Sequence, residues 1–387
     1  MLNRFRIPTS LWCALVLAFG YTTGMQLGKV SPYVDRLGAE LGMGLTTAGW
    51  LTSLLALFVA IAAAATGRFV ARIGVVPGLK IGAALMVLGA IAVVAAADPA
   101  YLLAARTIEA AGYVFAVVAA PAFLATAAPP SARTMLLALW GSVVPVGFAL
   151  ANLLAAGLPH ATPLAYAFVA FTLPLTLFAI PLLTMAERPC ASAQTTAEHE
   201  SQGQIAWVPV FGFGSYVYLS MGFFAFLPTF LNGRPGALLP ASAVALLVPL
   251  GNFATAALLA RWRAVHPLAI AAAGFAGLAG ASCFIFASGP SGAAAMAWYA
   301  LSAGICSSCL FAAIPRMTSS ASSATRTIGA IAQAGGIATL LGPPIAGTLI
   351  EHLGWSALAG SFVMVALVQL VAMLAAIRRS RRVAWCS

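Results

Sequence analysis

Apolar residues run through this chain in long blocks, with short polar segments between them. Twelve blocks are long enough for a helix to cross a bilayer. The first six cover roughly 9–34, 46–66, 79–97, 99–127, 135–156 and 164–185. The second six cover 207–231, 240–260, 267–287, 293–315, 328–350 and 355–377. A hydrocarbon layer of ~30 Å takes about 20 apolar residues of helix. No period-two alternation runs through the blocks, which separates them from the strands of a membrane barrel. The pattern predicts an all-α membrane protein with twelve transmembrane helices. The longest polar stretch, 187–206, splits them six and six. It predicts an N-terminal bundle at 1–186, a cytoplasmic linker, and a C-terminal bundle at 207–387 with a basic tail.

Composition sharpens this. Hydrophobic residues make up 62% of the chain and charged residues 7%, against about 25% charged in a soluble domain. A net charge of +11 would suit a nucleic-acid partner, but the charges punctuate the apolar runs. With the N-terminus inside, 15 of the 19 Lys and Arg residues fall on inner segments. Lys29, Arg36 and Arg234 fall outside, and Arg106 lies within a span. That bias predicts a multi-pass protein of the cell inner membrane, both termini cytoplasmic, with no nucleic acid bound. Arg4 and Arg6 precede an apolar run too long for a cleavable signal. The tail at 378–382, RRSRR, reads as an anchor to anionic lipid.

Few residues carry candidate chemistry. Cys13, Cys190, Cys283, Cys306, Cys309 and Cys386 have no disulfide-framework spacing, and Cys306 with Cys309 reads as two small residues at a helix contact. Glu198, His199 and Glu200 read as solvated linker. No metal or cofactor is expected, and a monomer is. His160, His199, His266 and His352 fall in or next to loops, so no intramembrane catalytic cluster forms and the chain is not read as an enzyme.

The fourth run is the exception. It carries Arg106 and Glu109, about 10 and 15 Å inside a helix that starts at Pro99, at ~1.5 Å per residue. A charge at mid-membrane costs roughly 2.5–3.5 kcal/mol on insertion scales, so it needs a partner or a wet cavity. Arg106, Glu109 and Tyr113 share one helical face. That face is expected to look into a transport cavity, with Arg106 and Glu109 as its central charge pair. Other cavity candidates are Tyr21, Gln26 and Lys29 in the first span, Asn152 in the fifth, Tyr216 and Ser220 in the seventh, Asn252 in the eighth, Tyr299 in the tenth and Gln333 in the eleventh. Lys29 either snorkels outward or turns inward, where two cations beside one carboxylate would favour an anionic solute. Gly141, Pro145 and Gly147 in the fifth span echo Gly342, Pro343 and Pro344 in the eleventh. Such pairs allow packing and bending in repeat-built transporters.

The loop after the second span reads GRFVARIGV. Gly67, Arg72 and Gly74 fit the signature G-x-L-x-D-R-x-G-R/K, with Ala71 and Val75 at its acidic and second basic positions. Arg106 and Glu109 fit R-x-x-Q/E-G, with Ala110 at the glycine. With twelve spans split six and six, this chain resembles the major facilitator superfamily over nearly its whole length. The resemblance implies two pseudo-symmetric six-helix bundles and secondary active transport by alternating access. It also implies a cytoplasmic gate motif at Gly67, Arg72 and Gly74, its latch built differently without the acidic residue, and proton coupling through the Arg106 motif. Only Pro145 fits the fifth-span antiporter motif G-x-x-x-G-P-x-x-G-G. The stretch 137–151 looks like the cyanate and nitroimidazole branch. A small organic solute, anionic or zwitterionic, moving with protons is the expected cargo. The alternatives are proton-driven multidrug efflux and a non-transporting receptor or sensor.

Overall fold

In the computed structural model, which describes residues 8–43, 45–159, 162–186, 204–232, 238–287 and 289–386, every regular element is helical. The N-terminal half holds α1 (Thr9–Gly28), α2 (Val34–Leu41), α3 (Leu45–Ile73), α4 (Val75–Val94), α5 (Pro99–Ala127), α6 (Pro130–Trp140), α7 (Val143–Gly157) and α8 (Leu164–Leu183). The C-terminal half holds α9 (Trp207–Asn232), α10 (Ala241–Arg261), α11 (Pro267–Ser282), α12 (Gly289–Ala312), the single turn α13 (Ile314–Met317) and α14 (Ala321–Cys386). Most of the expected linker, with Cys190, Glu198, His199 and Glu200, lies outside the described residues, as do Arg4, Arg6, His160 and Arg234.

Two crossings differ from the simple block pattern. The fifth is the pair α6 and α7, bent by 52° at Gly141–Ser142. The eleventh and twelfth form one continuous α14, broken in its dihedrals only at Gly354, whose φ is 82°. The expected interruption at Gly342, Pro343 and Pro344 does not form, because α14 keeps helical dihedrals through them. The ninth crossing, α11, is a shorter apolar helix. The first span also ends early. α1 stops at Gly28, and a 3-10 turn at Ser31–Tyr33 leads into α2, whose Leu37 is buried while Glu40 is exposed.

Within the N-terminal half, α1 packs on α7, α8 and α5, and α4 lies between α5 and α8. In the C-terminal half α14 packs on α9 and α11, and α12 on α10 and α11. The halves meet where α3 and α5 touch α14, and where α6 touches α10 and α12. On the side holding the end of α3 this seam is backbone against backbone. A Cβ on Gly329 would stand 2.8 Å from the Ala63 carbonyl oxygen and the Gly67 Cα. One on Gly336 would stand 2.5 Å from the Ala60 nitrogen, and the Gln333 amide donates to the Ala60 carbonyl at 2.9 Å. Small residues allow this approach, as in membrane helix pairs generally. Gly67 therefore serves helix contact, Gly74 sits at φ 98° in the turn to α4, and Arg72 is exposed.

Gly336→Leu is expected to force α3 from α14 and lower stability by about 1–3 kcal/mol, the usual cost of overpacking. Gly360→Leu, at an exposed position with open space around it, serves as control. Thermal unfolding in detergent measures both; equal melting temperatures would show that the two helices do not meet this closely.

Candidate functional site

The fourth crossing starts cleanly. Asp98 caps α5, its side chain accepting from the Tyr101 amide at 2.9 Å, and Pro99 fits the first helical position. Further in, α4 presses on α5 with almost no space. A Cβ on Gly89 would lie 2.6 Å from the Glu109 Cα, and one on Gly112 would lie 2.5 Å from the Met86 nitrogen. That fit fixes the Glu109 backbone and Cβ in position against α4.

Both Glu109 oxygens are taken by cations. Lys29 Nζ donates to Oε1 at 2.8 Å and Arg106 Nη1 donates to Oε2 at 2.6 Å. All three residues have no exposed surface. Arg106 also donates from Nη1 to the Gln26 carbonyl at 3.1 Å, and from Nε and Nη2 to the Leu51 carbonyl at 3.3 and 3.2 Å. The Gln26 side-chain amide reaches the Phe171 carbonyl at 2.9 Å. One cluster thus ties together α1, α3, α5 and α8. Charge-assisted bonds of this kind are about twice as strong as neutral ones, yet removing three charges from water offsets much of that gain. The cluster holds two cations and one carboxylate, a formal surplus of one positive charge.

Beside it, a cavity of about 480 Å³ lies between the two halves. The N-terminal half contributes Ser53 and Tyr113, with Gly141, Pro145 and Phe148 along the bent fifth crossing. The C-terminal half contributes Tyr216, Ser220 and Phe311, with Thr339, Pro343 and Pro344 from α14. The Tyr216 hydroxyl faces Ser220 and Ser307. No charged side chain lines it among the described residues.

The structure therefore corrects the central expectation. Arg106 and Glu109 do not face the cavity, because α1 and α3 lie across them and supply Lys29 and two carbonyl acceptors. Tyr113, on their helical face, does reach it. So do Tyr216 and Ser220, while seven other candidates do not line it. Gln26 and Lys29 belong to the ion cluster. Tyr21 pairs with Ser142 at 2.9 Å. Asn152 is exposed and bonds the Phe148 carbonyl of its own helix. Tyr299 donates to the Leu219 carbonyl at 3.0 Å. Asn252 reaches the Gly304 carbonyl and the hydroxyls of Ser307 and Ser308, tying α10 to α12. Gln333 bridges the seam to α3. Sequence reasoning missed Ser53, Thr339, Trp140, Phe148, Phe213 and Phe311 in the lining. The hydroxyls of Ser53 and Thr339 were the available signal, since they fall inside the second and eleventh apolar runs. The aromatic residues gave none, because lipid-facing positions look the same.

Twelve crossings around a central cavity between two halves define a polytopic membrane transporter. The sequence profile of the Major Facilitator Superfamily matches residues 11–335, and the chain belongs to that superfamily. No curated protein matches it by sequence. Solved structures share the fold at low identity. The human organic anion transporter MFSD10 (TETRAN) is 17% identical with a TM-score of 0.76, covering 95% of this chain and 100% of that one. The E. coli fucose:proton symporter FucP is 18% identical with a TM-score of 0.72, covering 96% and 98%. The proton:xylose symporter XylE is 14% identical with a TM-score of 0.71, covering 95% and 94%.

Glu109→Gln leaves two buried cations facing each other and is expected to cost about 3–5 kcal/mol. Lys29→Met keeps the Arg106–Glu109 pair and should cost clearly less. The double variant Lys29→Met/Glu109→Gln should be more stable than the sum of the single losses implies. Denaturant unfolding in micelles gives the cycle; strict additivity would mean that the two groups are not coupled.

Proposed function

We propose that this protein is a secondary active transporter that carries a small organic solute, anionic or zwitterionic, through the cavity between its halves by alternating access. The observation that carries the reading is the surplus-positive cluster Lys29–Glu109–Arg106 directly behind a cavity wall that both halves build. About 480 Å³ suits a small molecule. The apolar wall takes the body of the solute, and the excess positive charge favours an anionic group. Protons are the coupling ion in this reading, with Glu109 as the carrier, which requires a state in which its contacts open. The symporter titles of FucP and XylE and the organic anion title of MFSD10 agree with it.

The backbone seam of α3 and α14 closes one side, so this conformation is read as outward-facing, like the FucP structure described as outward. The Lys and Arg bias supports both termini in the cytoplasm, and in this reading the protein resides in the inner membrane as a monomer. The halves 1–186 and 207–387 act as the moving bodies, with 187–206 as the linker. The stretch 137–151 supports the cyanate and nitroimidazole branch.

One observation favours a second reading. Tyr113, Trp140, Phe148, Phe213, Tyr216 and Phe311 make the lining strongly aromatic, which suits proton-driven efflux of apolar drugs. Purified protein screened by thermal shift against organic acids and aromatic drugs separates the two, since a bound ligand raises the melting temperature. Acids are expected to give the larger shifts. In proteoliposomes the best acid should accumulate with a pH gradient and lose that accumulation when a protonophore is added. Shifts from cationic drugs alone would favour efflux, and accumulation indifferent to the gradient would remove the proton.

A further inference from the structure

We infer that Lys29 and Arg106 form the binding site for the solute's anionic group, and that Glu109 fills this site while no solute is bound. The inference rests on the transport reading above and names the groups that recognise the charge.

The donor count points to it. An ammonium has three N–H groups and a guanidinium five. Lys29 uses one, on Glu109, and Arg106 uses four, on Glu109, Gln26 and Leu51. Three donors on two fully buried cations are left over. Each oxygen of the single carboxylate already accepts from one cation, and one negative charge cannot neutralise two positive ones. In the same cluster the Gln26 side-chain oxygen is buried without a partner, so the local hydrogen bonding is incomplete as well as the charge. A purely structural ion pair would be expected to balance, because unmatched charge in a dry site is expensive.

Access comes from the cavity. Leu27, Ser53 and Tyr113 line it, and they adjoin Gln26, Leu51 and Glu109 along their helices. Tyr113 stands one turn from Glu109 on the same face of α5. The inference requires the Tyr113 ring to move aside so that the cavity reaches the cluster.

The exchange balances. The solute's anion takes the place of the Glu109 carboxylate on Lys29 and Arg106. Glu109 leaves as the neutral acid, its proton drawn from the aqueous phase, since an unpaired buried carboxylate is costly. No other bond is made or broken. The cluster carries one net positive charge before and after, so anion and proton enter together.

The test uses the full-length protein in micelles at fixed ionic strength and pH, with sodium benzoate and its neutral isostere benzamide as probes. Thermal unfolding and intrinsic fluorescence report binding. Benzoate is expected to bind about tenfold or more tighter than benzamide, or about 1.4 kcal/mol. Lys29→Met should bring the two to parity, and Lys29→Arg should keep the preference. In weakly buffered solution, benzoate binding should draw about one proton per protein, by linkage of binding and protonation. A second arm uses Glu109→Ala, whose lowered melting temperature formate should raise, with no such effect in Lys29→Met/Glu109→Ala. If Glu109→Ala does not fold, the Lys29 variants decide alone. Equal affinity for the two probes, a preference that survives Lys29→Met, no response to benzoate, or no proton uptake would each overturn the inference. Transport is judged apart from it. Unaltered protein that accumulates an organic acid in proteoliposomes keeps the carrier reading whether or not the anion site stands.

Discussion

Two cations and one carboxylate, closed off from water inside four helices, set the terms for the N-terminal half. Each charge alone would be too costly at that depth. Together they are tolerated because Glu109 sits between Lys29 and Arg106, and because the backbone of α1 and α3 offers carbonyls to the guanidinium. Everything nearby serves that arrangement. Gly89 and Gly112 let α4 and α5 close against each other around Glu109. The turn after α1 brings Tyr33 against Phe168 and Phe171, closing that end of the same bundle with aromatic packing.

The two halves share a plan but differ in the chemistry of their cores. The N-terminal half joins α1, α3, α5 and α8 with full charges. The C-terminal half joins α10 to α12 with the amide of Asn252 and the hydroxyls of Ser307 and Ser308. Neutral hydrogen bonds between membrane helices are worth about 0.6 kcal/mol on average, while breaking a buried ion pair costs several times more. Among the described residues, the fully buried charges therefore all belong to one half. The cavity wall reflects this, with the ion cluster behind one side and the neutral Tyr216–Ser307 polar group behind the other.

The architecture was legible because the bilayer imposes it. Twelve apolar blocks had to become twelve crossings, and the fourth run, 99–127, ends where α5 ends. Arg106 and Glu109 stood out for the same reason, as charges where charge is expensive. Their direction was not legible. Helical spacing gives a shared face, but what covers that face depends on how α1 and α3 cross it, and no local pattern encodes a crossing. Lys29 shows the limit plainly, since at the end of a span it could reach water or fold back on Glu109 with equal local sense. The proline pairs show another. Pro145 lies beside a 52° bend while Pro343 and Pro344 sit in unbroken helix, because a break needs neighbours that accept it as well as a missing amide.

The geometry also constrains how the halves can move. Every member of the ion cluster belongs to the N-terminal half, so a rigid rocking of one half against the other leaves its bonds intact. The seam of Gly67, Gly329 and Gly336 joins opposite halves and must part in any such motion. The glycine contacts are non-directional, the Gln333 amide adds a hydrogen bond to the Ala60 carbonyl, and all of these separate and re-form without leaving a charge exposed. A charged latch in the turn after α3 would add a directional term, and Ala71 stands where the superfamily signature places its acid. The seam therefore relies on close packing of small residues for its strength. That makes the balance between the two facing states a matter of backbone fit along α3 and α14, while selection among solutes is left to the cavity wall and the ion cluster behind it.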